Sequence, residues 1–244
     1  MNSAQRYIDE IKRLTLAVES TQQENMERAA TLIADALCGG GYIFTFGTGH
    51  SHILAEEIFY RAGGLVRVCP ILEDSLMLHR AAAASSQLER VTGLASVLLD
   101  DVDAVKEGGV MFLFSNSGCN TVAVEMAEEA RARGLKTVCI TNLTHAARSR
   151  SRHPEGKKLC EVCDVVIDNM GCYGDAAIEV GNATTGATST VIGSMILQAV
   201  VCRGIELTQE RGGNPEVFQS ANTVGGDEAN ETYIKQYKAS IRSL

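Results

Sequence analysis

Val110-Met111-Phe112-Leu113-Phe114, running directly into Ser115-Asn116-Ser117-Gly118-Cys119-Asn120-Thr121, is the stretch whose reading decides the fold. Five consecutive apolar residues bounded by polar turn residues read as a strand buried on both faces, the pattern of a parallel sheet covered by helices. The turn that follows sets three hydroxyls around one glycine, just before a segment with acidic and apolar faces that reads as a helix to Arg133, stopped by Gly134. Strand, polar turn and helix make the repeating step of α/β proteins, and ligands of such sheets bind beyond the carboxyl ends of the strands.

The same step recurs on both sides of this stretch. Tyr42 to Phe46, Val66 to Cys69, Thr137 to Thr141 and Val165 to Ile167 are further short apolar runs, with helices expected over about 51–62 and 86–98. Two helices precede the first strand, one striped by Tyr7, Ile11, Leu14 and Val18, the other by Met26, Ala30, Ile33 and Leu37 and ended by Gly39-Gly40-Gly41. A long apolar helix is expected from about Thr188 to Glu210. After the break at Gly212-Gly213-Asn214-Pro215, Asp227 is the expected N-cap of a last helix carrying Tyr233, Ile234, Tyr237 and Ile241. One domain over residues 1–244 is expected, with 1–38 as a helical extension and 212–244 as a C-terminal arm and helix.

Composition narrows the function. The formal charge of −8 and pI near 5.2 disfavour a broad nucleic-acid or anionic-membrane surface. Arg148, Arg150, Arg152, Lys157 and Lys158 make the one basic run, which reads as a solvated loop, with a substrate-facing or RNA-binding role as the alternative. Met1-Asn2-Ser3-Ala4-Gln5-Arg6 has no apolar core of signal-peptide type, and the apolar stretch from Val191 to Cys202 is interrupted by Gly193, Ser194 and Gln198. A cytoplasmic protein without membrane or nucleic-acid partners is expected. Cys38, Cys69, Cys139 and Cys202 fall in apolar patterns and read as reduced thiols. Cys160-x-x-Cys163 with Cys172 lacks the second Cys or His pair that would complete a zinc site, so neither metal nor cofactor is expected.

Three turns concentrate hydroxyls. Gly47-Thr48-Gly49-His50-Ser51 combines two glycines, which allow close backbone approach, with a serine able to cap the next helix, and amides at that helix start favour an anion. An ordinary strand-to-helix turn would look similar. Ser115 to Thr121 holds more hydroxyls than one cap requires, and hydroxyls with helix amides cradle a phosphate without cationic side chains. Thr184-Thr185-Gly186-Ala187-Thr188-Ser189-Thr190 forms the third cluster. Three such clusters together are more specific than any one.

These turns resemble those of the sugar isomerase (SIS) domain family. The likeness rests on Gly47 to Ser51, on Ser115-x-Ser-Gly-x-x-Thr121 and on Ile140-Thr141-Asn142, and it covers about 24–207. It implies an α/β three-layer α-β-α sandwich around a five-stranded parallel sheet, a phosphosugar ligand, and homodimers or homotetramers whose sites a neighbouring subunit completes. By that resemblance Ser115, Ser117 and Thr121 hold the phosphate, while Gly47, Thr48 and Ser51 face the sugar; Asn116 and Gly118 in the one loop, and Gly49 and His50 in the other, are further expected substrate contacts by their place in the turns. The tail, Phe218 to Asn222 and Gly225 to Glu228, is similar to that of the phosphoheptose-isomerase-like group.

Aldose–ketose isomerisation needs a base, an acid and often a histidine for ring opening. Glu57, on the helix after the first loop, and His79, after the second strand, are the expected proton-transfer pair, with Glu179 approaching from the far side. Plainer readings put Glu56 and Glu57 on a solvent-facing helix, Glu179 on an edge strand, and the His50 ring in its own turn. His52 and Glu56, at i and i+4, could ligate a metal, although simple pairing explains the spacing. Glu57 with Glu125 imitates the paired glutamates of muramic acid phosphate etherases without their surrounding motifs. The expected function is a sugar-phosphate isomerase; the alternatives are a non-catalytic phosphosugar sensor and an amino-sugar-phosphate lyase or etherase. A nucleotide-dependent oxidoreductase is disfavoured because Gly47-Thr48-Gly49-His50-Ser51-His52 lacks the third glycine.

Overall fold

The computed structural model describes residues 1–244. Helices α1 (Ser3–Thr21) and α2 (Gln23–Cys38) lead into β1 (Tyr42–Gly47), α3 (His52–Glu57), β2 (Val68–Pro70), α4 (Leu78–Leu88) and α5 (Leu94–Asp100). The chain continues through β3 (Gly109–Phe114), α6 (Thr121–Ala132), β4 (Lys136–Thr141), α7 (Leu143–Arg148), α8 (Leu159–Val162) and β5 (Val165–Asp168). A hairpin, β6 (Ile178–Val180) and β7 (Ala183–Thr185), precedes α9 (Ser189–Glu210) and α10 (Gly226–Tyr237).

Strands β1 to β5 form one parallel sheet in the order β2-β1-β3-β4-β5. Alternate side chains point to opposite faces of a strand, so each apolar run feeds two cores at once. Ile43, Phe112, Phe114, Val138, Ile140 and Ile167 pack under α2, α3 and α9, together with Ile33, Ile58, Ile196 and Val200. On the other face Phe44, Phe46, Met111, Leu113 and Cys139 meet Leu99, Val122, Met126, Ala130 and Leu159 from α5, α6 and α8. Phe44, Phe46, Phe112 and Phe114 are fully buried, each contributing roughly 1.5–3 kcal/mol through burial. The expected three-layer sandwich with its five-stranded parallel sheet is thus the fold observed. Helix α9 is long and apolar enough to cross a membrane, yet it lies against α2 and α3 with Ile192, Ile196, Val200 and Leu207 buried.

Several local expectations need correction. The helix expected to reach residue 62 stops at Glu57, and Tyr60 turns the chain with φ of 42°. The helix expected over 86–98 is two, α4 and α5, separated at Gly93, whose φ of 85° no helix accepts. Strand β2 lies two residues later than the Val66 start. The last helix is capped at Gly225, placing Asp227 inside its first turn. The third hydroxyl cluster is divided: Thr184 and Thr185 stand exposed on β7, whereas Ser189 and Thr190 open α9.

Candidate functional site

The strand order reverses direction between β1 and β3, and a crevice at such a switch point is where an open α/β sheet binds its ligand. A narrow polar recess opens there. Its walls are Ser51 and Leu54 from the β1 turn and α3, Ser115 and Asn116 after β3, Ile140 of β4, Asn169 after β5, and Ser189 and Thr190 at the start of α9. Residues far apart in sequence converge because all five parallel strands end on this side.

The β3 turn is built by its own polar groups. Gly118 N donates to Ser115 Oγ at 3.1 Å, and Thr141 Oγ1 donates to the Ser115 carbonyl at 2.7 Å. Gly118 has φ of +60°, and a Cβ there would lie 3.1 Å from Thr141 Oγ1, so the turn demands glycine. Thr121 Oγ1 donates to the Arg152 carbonyl at 2.9 Å, and Asn169 Nδ2 donates to Asn116 Oδ1 at 2.8 Å. Ser117, half-buried, has a hydroxyl with no hydrogen-bond partner in the chain.

The β1 turn is equally tight. A Cβ on Gly47 would come within 2.4 Å of the Ser51 carbonyl oxygen. Thr48 is buried and donates its hydroxyl to Glu89 Oε2 at 2.7 Å. Ser51 does not cap α3 as expected; its hydroxyl is left unpaired in the recess wall. Gly49 lies beneath Leu78 of α4, and the neighbouring His50 is exposed. The start of α9 is held by Asp175, whose carboxylate accepts bonds from Thr188 N, Ser189 N and both hydroxyls, leaving Thr190 Oγ1 free.

The expected catalytic groups are dispersed. Glu57 closes α3, where its carboxylate accepts from Arg61 and, at 2.9 Å, from Gln198 of α9. His79 is exposed in the first turn of α4. Glu179 is exposed on β6, and its carbonyl is tied to Arg6 of α1 at 2.7 Å. None of the three lines the recess. Glu125 lies on α6, across the sheet from Glu57, and accepts from Gly93 N at 2.8 Å. His52 is buried with Nε2 3.3 Å from Glu56 Oε1, an ion-pair contact without hydrogen-bond alignment.

Glu89 was not among the residues singled out from sequence. Besides accepting from Thr48, it offers its carbonyl to Val122 N of α6 at 3.1 Å, linking the β1 turn to the helix that follows the β3 turn. Its carboxylate and Thr48 are 41 residues apart in the chain, beyond the reach of any local pattern. Asn169 and Asp175 were missed for the same reason.

A family model described as the SIS domain matches residues 6–142. A UPF0309 protein of Geobacillus thermodenitrificans is 43% identical over 241 residues, covering 98% of this chain and 96% of that protein. The UPF0309 protein lin2794 of Listeria innocua is 40% identical, covering 98% and 97%. Among solved structures, phosphoheptose isomerase GmhA from Neisseria gonorrhoeae superposes with a TM-score of 0.54 at 15% identity, covering 84% of this chain and 97% of that one. A phosphoheptose isomerase from Francisella tularensis gives 0.51 at 15% identity, covering 86% and 100%. At that identity the two structures share the fold alone. The fold, the family match along more than half the chain and the near full-length relatives agree: this chain belongs to the SIS domain family.

Proposed function

We propose that the protein binds a phosphorylated sugar at the β1/β3 crevice and interconverts its aldose and ketose forms. The observation that supports this most is the set of unpaired hydroxyls of Ser51 and Thr190 in the recess wall, with that of Ser117 next along the β3 turn from the lining residues Ser115 and Asn116. Free hydroxyls and helix amides suit a phosphate and a polyol, since a hydroxyl the chain leaves unpaired can exchange water for a ligand oxygen. Ser117, with Ser115 and Asn116, is assigned to the phosphate, and Thr48, Ser51 and His50 to the sugar. Thr121 contributes by fixing the turn.

For proton transfer, Glu89 is assigned ahead of Glu57: both lie outside the recess wall, but the Glu89 carboxylate accepts from the Thr48 hydroxyl of the β1 turn, whereas that of Glu57 is engaged by Arg61 and Gln198. His79 remains the candidate for ring opening. The experiment is exchange of solvent deuterium into the C1–C2 positions of aldose and ketose phosphates, followed by NMR. Isomerase activity that Glu89→Gln lowers about 100-fold or more, with binding retained, fits a proton-transfer role. Full activity in that variant refutes the assignment.

One observation favours a second reading. The recess wall contains no titratable side chain, which suits a protein that senses a phosphosugar without converting it. Tight binding with no deuterium exchange would select that reading. Self-association as a homodimer or homotetramer is assigned to the groove of about 660 Å³ between α1, α2 and α9, lined by Val18, Met26, Met195 and Val200. Light scattering would read the subunit number.

A further inference from the structure

Twelve of the 22 lysines and arginines are ion-paired within the chain, and four of the other ten lie close together in the run from Arg148 to Lys158. Lys157 pairs with Glu128 and Glu155, whereas Arg148 stacks on Tyr173, and Arg152 and Lys158 donate to an amide and a carbonyl oxygen rather than to a carboxylate. The run is fastened to the β3 turn. Arg152 N donates to the Cys119 carbonyl, Leu159 N to the Gly118 carbonyl, and Arg152 Nη1 to Asn120 Oδ1, each at 2.9 Å. Asn120 is the N-cap residue of α6, so the Arg152 guanidinium is fastened beside the first turn of the helix that follows the assigned phosphate loop.

Arg148, at the end of α7, lies with its guanidinium carbon 4.1 Å above the Tyr173 ring and donates no hydrogen bond within the chain. Tyr173 belongs to the loop that delivers Asn169 to the recess, and that loop is tied to Asn142, whose Nδ2 donates to the Cys172 carbonyl at 3.4 Å. Lys158 reaches the same corner, donating to the Ala146 carbonyl at 2.6 Å. An arginine laid on an aromatic face keeps its donor edges free and has less freedom left to lose on meeting an anion.

Resting on the phosphosugar reading, we infer that Arg148, Arg152 and Lys158 form a cationic rim for a second anionic group. The ligand class is then a sugar phosphate that also carries a further phosphate or a carboxylate. In an acidic protein this rim supplies the attraction that the uncharged hydroxyl turns lack.

The test is calorimetric titration of the full chain with fructose 6-phosphate, fructose 1,6-bisphosphate, 6-phosphogluconate and single-stranded RNA. Arg148→Gln and Arg152→Gln are compared with Lys238→Gln, an unpaired cation beside Tyr237 at the opposite end of the sheet; circular dichroism checks that each variant folds. The sugars carrying two anionic groups are expected to bind about tenfold more tightly than the monophosphate, a preference reduced by either arginine change and untouched by Lys238→Gln. A monophosphate bound as tightly as the others, or a preference that survives both arginine changes, overturns the rim and leaves the phosphosugar reading standing. No binding of any sugar phosphate overturns both. RNA binding lost in the arginine variants, without a preference among sugars, overturns the rim in favour of a nucleic-acid surface.

Discussion

The two ends of the parallel sheet handle their polar groups in opposite ways. At the end where β1 begins, Tyr237 Oη donates to Glu216 at 2.5 Å, Glu216 pairs with Arg67 at 3.5 Å, and Arg67 donates to the carbonyls of Leu37 and Gly41. Tyr42 stacks edge-on against Tyr237 with centroids 6.3 Å apart, and α10 seals the layer. At the end where β1 and β3 stop, the hydroxyls of Ser51, Ser117 and Thr190 and the guanidinium of Arg148 meet no partner in the chain. Arg67 Nε, buried at the sealed end, itself lacks a hydrogen bond, so the contrast rests on the part-exposed hydroxyls at the carboxyl end, the end where an open α/β sheet meets its ligand.

The largest expected effect that would break this contrast comes from Gly47→Ala. With its new methyl 2.4 Å from a backbone oxygen, the substitution should cost about 1–3 kcal/mol in urea unfolding and eliminate ligand binding. A variant of unchanged stability and affinity would mean that the β1 turn is not built as described. Tyr237→Phe sharpens the contrast from the other side: stability should fall by about 1 kcal/mol while sugar-phosphate affinity stays unchanged. Lost affinity in that variant would show that the two ends are coupled.

A smaller effect concerns pH. Burial holds the His145 imidazole below its ordinary 6.5, partly opposed by Asp175. The unfolded chain therefore takes up this proton at higher pH than the folded one, so the stability this group contributes is complete above 6.5 and is lost as the pH falls towards its folded value. Chemical unfolding at a series of pH values should show that decline, flattened in His145→Gln. The effect stays small because the ring is only part-buried, and solvent screens what the burial does. An unchanged slope would remove His145 as the cause.

Much of the sheet was legible because Val110 to Phe114 and its neighbours are apolar throughout, a pattern that only a strand covered on both faces tolerates. The turns after β1 and β3 were legible for the complementary reason that glycine and hydroxyls crowd where a chain must bend sharply and start a helix. What escaped notice depends on distance. The β6–β7 hairpin has three residues per strand and mostly exposed side chains, so no period-2 signal could form. Glu89, Asn169 and Asp175 owe their positions to tertiary contacts, and a carboxylate at the end of α4 looks like any solvated helix end until Thr48 is seen beside it. Glu57 shows the converse: its place after the first loop favoured it, and only the fold reveals Arg61 and Gln198 occupying its carboxylate.

The most direct test of the phosphosugar site is a thermal-shift titration of sugar phosphates beside their unphosphorylated sugars, on the full chain and on Ser117→Ala. Because the Ser117 hydroxyl has no partner in the chain, the substitution should leave stability within about 0.5 kcal/mol of the parent. At ligand concentrations about 100 times the dissociation constant, a specific sugar phosphate should stabilise the parent by about 2.7 kcal/mol and the variant far less. No shift with any phosphorylated sugar, or an equal shift in Ser117→Ala, would contradict a phosphate site at the β3 turn.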